Sequence, residues 1–489
     1  MSSFLERYHE LTKYDPRTID TLGQANWAEQ PRAWKAITGT EHVDIRPNLE
    51  FLSEFVRGDA SQGAYPAPSE TLDLTTLSRI SWFASGVSAM GGSPQDPHLY
   101  RTNPSAGGLY PIELYWIILD VEGLEPGIWQ FHAPGFALVP VWKGNFRAEA
   151  LAALLGSQPA REASAIAVLT GIFSRGSWRY GERAYRRILL DAGHLSGNLL
   201  EAVRRESFEA VPLSGFCDAC LSEFLFPDQD EVPLLAVPIG KGLTKNVSRS
   251  LRSPMPDPTE FSTHVAAGRM QERAHHLSRI PSGTPDPPSL FAESTRKPDL
   301  EYIPLPAPLD PGNITKAAID RRSCRSYGWA PVTLQQLSTL LAWSDIPSDE
   351  RLSPIGLLDT WLVVNAVEGL DSGVWHWDHR TGSIAPNRMG RLREDCLKMC
   401  LGQELGGNAS FVVVHSTPLS KAVDILGERA YRPLCMDAGH FGERLNLSAQ
   451  AMGLGASGIG GYFDDLVNET IGQDLSHAIL YVTTVGEPG

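Results

Sequence analysis

No apolar run in this chain approaches the roughly 20 residues that a membrane-spanning helix needs. The opening stretch MSSFLERYHELTKYD is charged from the start, so neither a transmembrane helix nor a secretory signal is expected, and the protein is read as cytoplasmic with no membrane partner. Positive charge is scarce as well: 57 Asp and Glu outweigh 42 Lys and Arg, giving a formal net charge of -15. A nucleic-acid partner needs a basic face and is therefore not expected; the charge favours solubility. Six cysteines in 489 residues are too few for a disulfide scaffold and are expected to be reduced thiols. Cys217 and Cys220 have CxxC spacing, but no second pair follows at zinc-ribbon distance. They read as small residues of a half-buried loop, and no metal site is expected. The glycine fingerprint of a dinucleotide fold is also missing.

What the chain has instead is self-similarity. YGERAYRRILLDAGH (180–194) returns as LGERAYRPLCMDAGH (426–440), and VEGLEPGIW (121–129) as VEGLDSGVW (367–375), both 246 positions later. The same offset sets Gly240 opposite Gly486 near the ends of the halves. A constant offset over so long a stretch marks a duplication. Upstream, LTTLSRISWFAS (74–85) faces VTLQQLSTLLAWS (332–344) at an offset of 260. The difference between 260 and 246 leaves copy 1 with fourteen additional residues, placed in the loop GVSAMGGSPQDPHLY. The expected organisation is an N-terminal extension over 1–50, copy 1 over 51–245, a Pro- and Ser-rich linker over 246–304 with one short helix near 265–279, and copy 2 over 305–489. Within each copy, helical spacing (LSRISWFAS, RAYRRILLDAGHLSGNLLEAVRRE) alternates with strand-like runs (ELYWIILDV, SAIAVLTGIF, PLLAVPIG).

The residues kept by one copy only carry the functional argument. Copy 2 opens with Arg321, Arg322, Ser323 and Arg325, whose guanidinium forks and hydroxyl suit a phosphate. At the 260 offset copy 1 has the uncharged Ser61-Gln62-Gly63-Ala64-Tyr65. Copy 1 has the bare tip Pro104, Ser105, Ala106, Gly107 and Gly108, which exposes backbone N–H groups and leaves room for a flat ligand. At the 246 offset copy 2 has the bulkier Glu350-Arg351-Leu352-Ser353-Pro354. After its long helix copy 2 has Gly458, Ile459, Gly460 and Gly461, where copy 1 has Pro212, Ser214 and Gly215 opposite the three glycines. These losses are complementary. They predict one complete site at the seam between the copies and an abandoned reciprocal site.

RRSCRSY, PSAGGLYPIELY, RYGERAYRRILLDAGHLSGNLL, the glycine-ended terminal strands of both copies and the N-terminal YHELTKYD followed by WAEQPRAWK resemble the nitroreductase-like flavoproteins, and within them the SagB-type dehydrogenase and azoline oxidase branch. The resemblance implies an α+β fold in which two tandem copies form an intramolecular pseudodimer, with FMN at the interface. It places Arg321, Arg322, Ser323 and Arg325 at the FMN phosphate. Pro104, Ser105, Ala106 and Gly107 would lie at the isoalloxazine ring, with Gly458, Ile459, Gly460 and Gly461 along its other face.

Two departures stand out. Where the family often has a basic residue after the last glycine, copy 2 has Glu487, while copy 1 keeps Lys241. The catalytic Lys-Tyr pair of the azoline oxidases is here Arg179-Tyr180, and Arg stays protonated and cannot act as a base. Tyr180 is the expected acid/base group and Arg179 its partner, stabilising a phenolate or an anionic substrate group. In copy 2 both are lost, to Ile425 and Leu426. Glu182, Arg183, Glu428 and Arg429 occur in both copies and read as structural ion pairs, and His194 and His440 as packed helix histidines rather than ligands. The implied function is a two-electron oxidation of a peptide or small biosynthetic intermediate, carrier- or leader-bound in some cases, with oxygen as electron acceptor. The alternatives are a nitroreductase-type reductase fed by NAD(P)H and a non-catalytic scaffold that binds a peptide or partner enzyme.

Overall fold

The computed structural model describes residues 3–19, 25–36, 39, 41–52, 66–93, 96–225, 230–254, 269–283 and 296–489. The uncharged copy 1 segment 61–65 lies outside the described residues.

Each half is built on a seven-stranded antiparallel sheet. In the first, the order across the sheet is Val43–Asp44, Ala137–Lys143, Gly127–His132, Ile112–Ile118, Ala165–Ile172, Glu231–Gly240 and Glu209–Ala210. In the second it is Ile303–Pro304, Ser383–Met389, Gly373–Asp378, Asp359–Val364, Phe411–Pro418, His477–Gly486 and Gly455–Ile459. All pairings within both sheets are antiparallel. The central strands are buried along their whole length, so their sequences run apolar rather than alternating. The extra residues of copy 1 form a hairpin, Val87–Ser93 with Asp96–Arg101, where a loop was expected.

The halves meet along two long helices, Ala184–Arg205 and Tyr431–Ala451. They touch backbone to backbone where Gly193 faces Gly439, residues 246 apart: a Cβ built on Gly193 would collide with the Met436 carbonyl, and one on Gly439 with the Leu190 carbonyl. The apolar faces of both helices join one core cluster that draws on both halves, including Leu189, Leu195, Leu434 and Met436.

Around this crossing the pseudo-symmetry is kept by charge. Asp464 accepts from Arg183 at 2.7 Å and Arg186 at 2.6 Å, and Asp218 accepts from Arg429 at 2.7 Å and Arg432 at 2.6 Å. The expected ion pairs are therefore real for the arginines, but their partners are aspartates across the seam. Glu182 and Glu428 instead cap helices. Glu428 accepts from Phe4 and Leu5 N–H at 3.0 and 2.7 Å, and Glu182 from Gln271 N–H at 2.9 Å.

Those caps reveal a third repeat. FLERYHELT (4–12) matches MQERAHHLS (270–278) at an offset of 266, and the helices Phe4–Leu11 and Met270–Leu277 pack at equivalent positions. Arg183 donates to the Thr12 carbonyl at 2.7 Å, and Arg429 to the Ser278 carbonyl at 2.8 Å. Each half therefore begins with its own seam helix, one in the N-terminal segment and the other within the stretch read as linker.

Cys217 and Cys220 are bonded to each other, with Cα atoms 5.4 Å apart, and are not the free thiols expected from the sequence. The turn into the helix Asp218–Leu225 brings these i and i+3 residues together.

Candidate functional site

A cavity of about 1030 Å³ lies at the seam, just above the roughly 300–1,000 Å³ of ordinary ligand pockets. Arg321, Arg322, Ser323, Arg325, Pro104, Ser105, Ala106, Gly107, Gly458, Gly460, Gly461, Arg179 and Tyr180 all line it. Ile459 does not. It is buried in the core beside Val467 and Ile479, because strand alternation turns it away from the face that Gly458 and Gly460 present.

Copy 2 supplies the cationic wall. Arg321 is buried and donates from Nε to the Thr102 carbonyl at 2.9 Å, which ties it to the base of the copy 1 tip. Its Nη1 is buried without a partner. Arg322 donates to the carbonyls of Ile319 and Arg321 at 3.2 and 2.5 Å, while Ser323 is half-buried and Arg325 exposed. A buried guanidinium without a counter-ion, flanked by a half-buried and an exposed one, suits an anion arriving from outside the chain. Lys241 and Glu487, the residues after the terminal glycines, are exposed and do not line the cavity.

Copy 1 supplies the tip. Ser105 Oγ donates to Asp191 at 2.5 Å, Ala106 N–H donates to the same carboxylate at 3.2 Å, and Tyr110 N–H donates to Ser105 Oγ at 2.9 Å. Burial pushes the Asp191 carboxyl up to about 6, against the lowering effect of these donors. Gly107 and Gly108 both adopt φ +67°, the left-handed region that glycine enters freely. A Cβ on Gly107 would lie 2.6 Å from the Tyr180 hydroxyl and 3.2 Å from Arg179 Nη1. The bare tip thus makes room for this side-chain pair as well as for a ligand.

Tyr180 ends the helix Phe173–Tyr180, and Gly181 at φ +52° turns the chain toward the long helix. The Arg187 guanidinium lies 3.5 Å from the centroid of the Tyr180 ring. His194 also lines the cavity and bonds Glu443 at 3.0 Å and Tyr481 at 2.8 Å. It is the satisfied helix histidine expected, packed against Tyr481 of the sheet strand His477–Gly486, whereas His440 sits beside Glu350 at 3.6 Å and does not line the cavity. Arg187, Asp191, Tyr481 and the N-terminal Tyr14 were missed from sequence. The loss of Arg187 to Pro433 and of Leu235 to Tyr481 across the 246 offset was the available signal for two of them.

The reciprocal position is filled by the chain itself. Ser214 and Gly215 N–H, equivalent to those of Gly460 and Gly461, donate to the Arg249 carbonyl at 2.8 and 3.0 Å. Leu251 packs where a Cβ on Gly215 would lie 2.6 Å away, and Ser253 N–H donates to the carbonyl of Leu426, the counterpart of Tyr180, at 3.0 Å. The tip logic nevertheless survives there: Ser353 Oγ donates to Asp437 at 2.6 Å, as Ser105 does to Asp191. The fixed 246 offset had set Arg351 opposite Ser105, so the two tips are out of that register by two residues.

Together the orphaned Arg321 Nη1, the carboxylate-free Arg/Ser wall and the bare glycine wall fit a flat cofactor that carries a phosphate. Among the described residues there is no group of three His, Cys, Asp or Glu that could hold a metal, and no helix long and apolar enough to cross a membrane.

Comparison with known proteins agrees with this architecture. A protein of Anabaena variabilis, provisionally named a nitroreductase, aligns over 100% of both chains with a TM-score of 0.88 and 29% identity. A protein of Methanocaldococcus jannaschii with a provisional nitroreductase name is 28% identical over 173 residues, 35% of this chain and 83% of its own. The Escherichia coli microcin synthetase complex aligns over 49% of this chain and 92% of its own at a TM-score of 0.32 and 18% identity, too little to bear on chemistry. The nitroreductase family profile matches residues 67–241 and 318–487, one match on each half. With more than half of its length matched, the chain belongs to the nitroreductase family, with two of its domains in tandem on one polypeptide.

Proposed function

We propose that this protein is an FMN-dependent oxidoreductase with one site per chain, of the SagB-type dehydrogenase and azoline oxidase kind. In this reading it removes two electrons from a peptide or small biosynthetic intermediate, of the azoline-to-azole type or a related C–N or C–C desaturation. The observation that carries the reading is the seam cavity. It gathers the Arg/Ser wall of one half and the glycine tip and Tyr180 of the other, while the equivalent space on the far side is taken by residues 249–253.

Arg321, Arg322, Ser323 and Arg325 would hold the FMN phosphate, the tip and the Gly458–Gly461 wall its ring. When bound, FMN would supply the two-electron chemistry, with dioxygen as final acceptor. The chain's own contribution is orientation and proton handling. Tyr180 Oη would accept or return the substrate proton, and the guanidinium on its ring face, with Arg179 beside it, would balance charge on that oxygen. The Tyr8 and Tyr14 segment closes the seam from the N-terminal side: Tyr8 Oη donates to the Glu182 carbonyl at 2.6 Å.

The family and the full-length relative's name favour a second reading, reduction by NAD(P)H. Anaerobic mixing of the FMN-loaded protein with NADH or NADPH separates the two. No bleaching of flavin absorbance on that timescale supports the oxidase, whereas stoichiometric bleaching would replace it with the reductase. A scaffold role is disfavoured by the intact clamp, tip and Tyr180 at one site, and failure to retain FMN at all would revive it.

A further inference from the structure

The cavity holds a second group of cations, distinct from the Arg321–Arg325 wall. Arg187 is buried, lines the cavity and makes no ion pair among the described residues. Its Nη2 donates to the Tyr14 hydroxyl at 3.1 Å and the Gly460 carbonyl at 2.5 Å, both neutral, and its Nε is buried with no partner. Asp191, one helical turn on, feels the Arg187 charge but forms no ion pair with it, and a buried guanidinium without a paired counter-charge is costly unless a ligand supplies one. Arg179, which lines the same cavity, is exposed and likewise makes no ion pair among the described residues. Its guanidinium lies 5.5 Å from the Trp27 ring and 5.6 Å from that of Tyr180. The filled half of the molecule is an internal control: Ile425, Leu426 and Pro433 stand where Arg179, Tyr180 and Arg187 stand at the open one. Both cations are therefore confined to the half with a cavity.

We propose that Arg179 and Arg187 form a substrate-anion subsite that selects planar molecules bearing a carboxylate. The planar forks of arginine match the two oxygens of a carboxylate. Tyr180 and Tyr14 line the cavity beside these cations, with the exposed Trp27 next to Arg179, and supply aromatic surface for a flat, conjugated body. The inference rests on the FMN-oxidoreductase reading for what happens to the substrate but not for its binding.

The test is titration calorimetry with benzoate against its neutral isostere benzamide, on FMN-loaded and FMN-free protein. Benzoate is expected to bind about ten- to a hundred-fold more tightly, from charge-assisted hydrogen bonds to guanidinium. Arg179→Gln and Arg187→Gln should each erase most of that preference while leaving FMN content per chain unchanged. Arg187→Lys should restore charge but only part of the preference. Equal affinity for the two probes would overturn the proposal, as would a preference that persists in both Gln variants. FMN loss in Arg187→Gln would assign that residue to the cofactor and equally overturn it. If Arg187→Gln does not fold, exposed Arg179 alone decides. A wild-type protein that retains no FMN yet prefers benzoate would fail the functional reading and keep the subsite.

Discussion

Replacing Asp464 with Asn tests whether the seam is held as described. The carboxylate is fully buried and bridges Arg183 at 2.7 Å and Arg186 at 2.6 Å, and Arg183 also donates to the Thr12 carbonyl. The two guanidinium groups hold its carboxyl well below the usual carboxylate range, against the desolvation that would raise it. Asn keeps the shape but leaves buried cations without a counter-charge, which costs about 3–5 kcal/mol. At about 2–4 °C per kcal/mol for units of 150–250 residues, the melting temperature at pH 7 should fall by roughly 6–20 °C. A depressed folded-state value means that this stability is present above the unfolded aspartate value of about 3.9 and lost as pH falls through the folded one. The gap between variant and wild type should therefore be full at pH 7 and narrow below about pH 4. Asp218→Asn, its counterpart 246 residues earlier, should cost a similar amount. A melting temperature within about 2 °C of wild type for Asp464→Asn, measured by near-UV circular dichroism, would refute the reasoning.

Gly193→Ala should prevent the two long helices from closing, because its methyl meets the Met436 carbonyl and Gly439; a soluble protein with wild-type melting would contradict the close crossing. Leu251→Ala should cost about 2–3 kcal/mol in urea unfolding without creating a second flavin site, since Arg249 and Ser253 still cover the filled half. Asp191 has a folded-state value of about 6, above the unfolded one, so its stability penalty grows from about pH 4 to pH 6 and then levels. Melting of Asp191→Asn relative to wild type should accordingly improve across that window and hold constant above it; a difference flat in pH would count against the burial argument. Tyr180→Phe should lower turnover by about 10²–10⁴-fold with unchanged FMN content, read by stopped-flow, if its hydroxyl moves the proton.

Much of this was legible because the chain contains its own comparison. A constant offset aligned strands and helices, and differences between the halves picked out the wall and the tip, while the family resemblance pointed to Arg179 and Tyr180. The same method was blind to Asp191 and His194, which both copies keep. It could not see that His194 has Glu443 and Tyr481 for partners while the counterparts of those partners are Gly197 and Leu235. Ile459, the last residue of the strand Gly455–Ile459, faces away from the cavity that Gly458 lines, a strand alternation that four consecutive wall residues do not reveal, while Gly460 and Gly461 past the strand's end both line it. The repeat in FLERYHELT and MQERAHHLS escaped because it is short and obeys a different offset. Residues 249–253 carry no periodic pattern, and their role in filling the abandoned half depends on carbonyls and on space beside Gly215 and Gly427, which a sequence does not display.

The central claim is one flavin site per chain, built by both halves. The most direct measurement is the molar ratio of FMN released by denaturation to polypeptide, for wild type and for Arg321→Ala with Arg325→Ala. The account predicts a ratio near one, lost in the double variant while the fold persists by circular dichroism. A ratio near two, or FMN retained without both arginines, would contradict it.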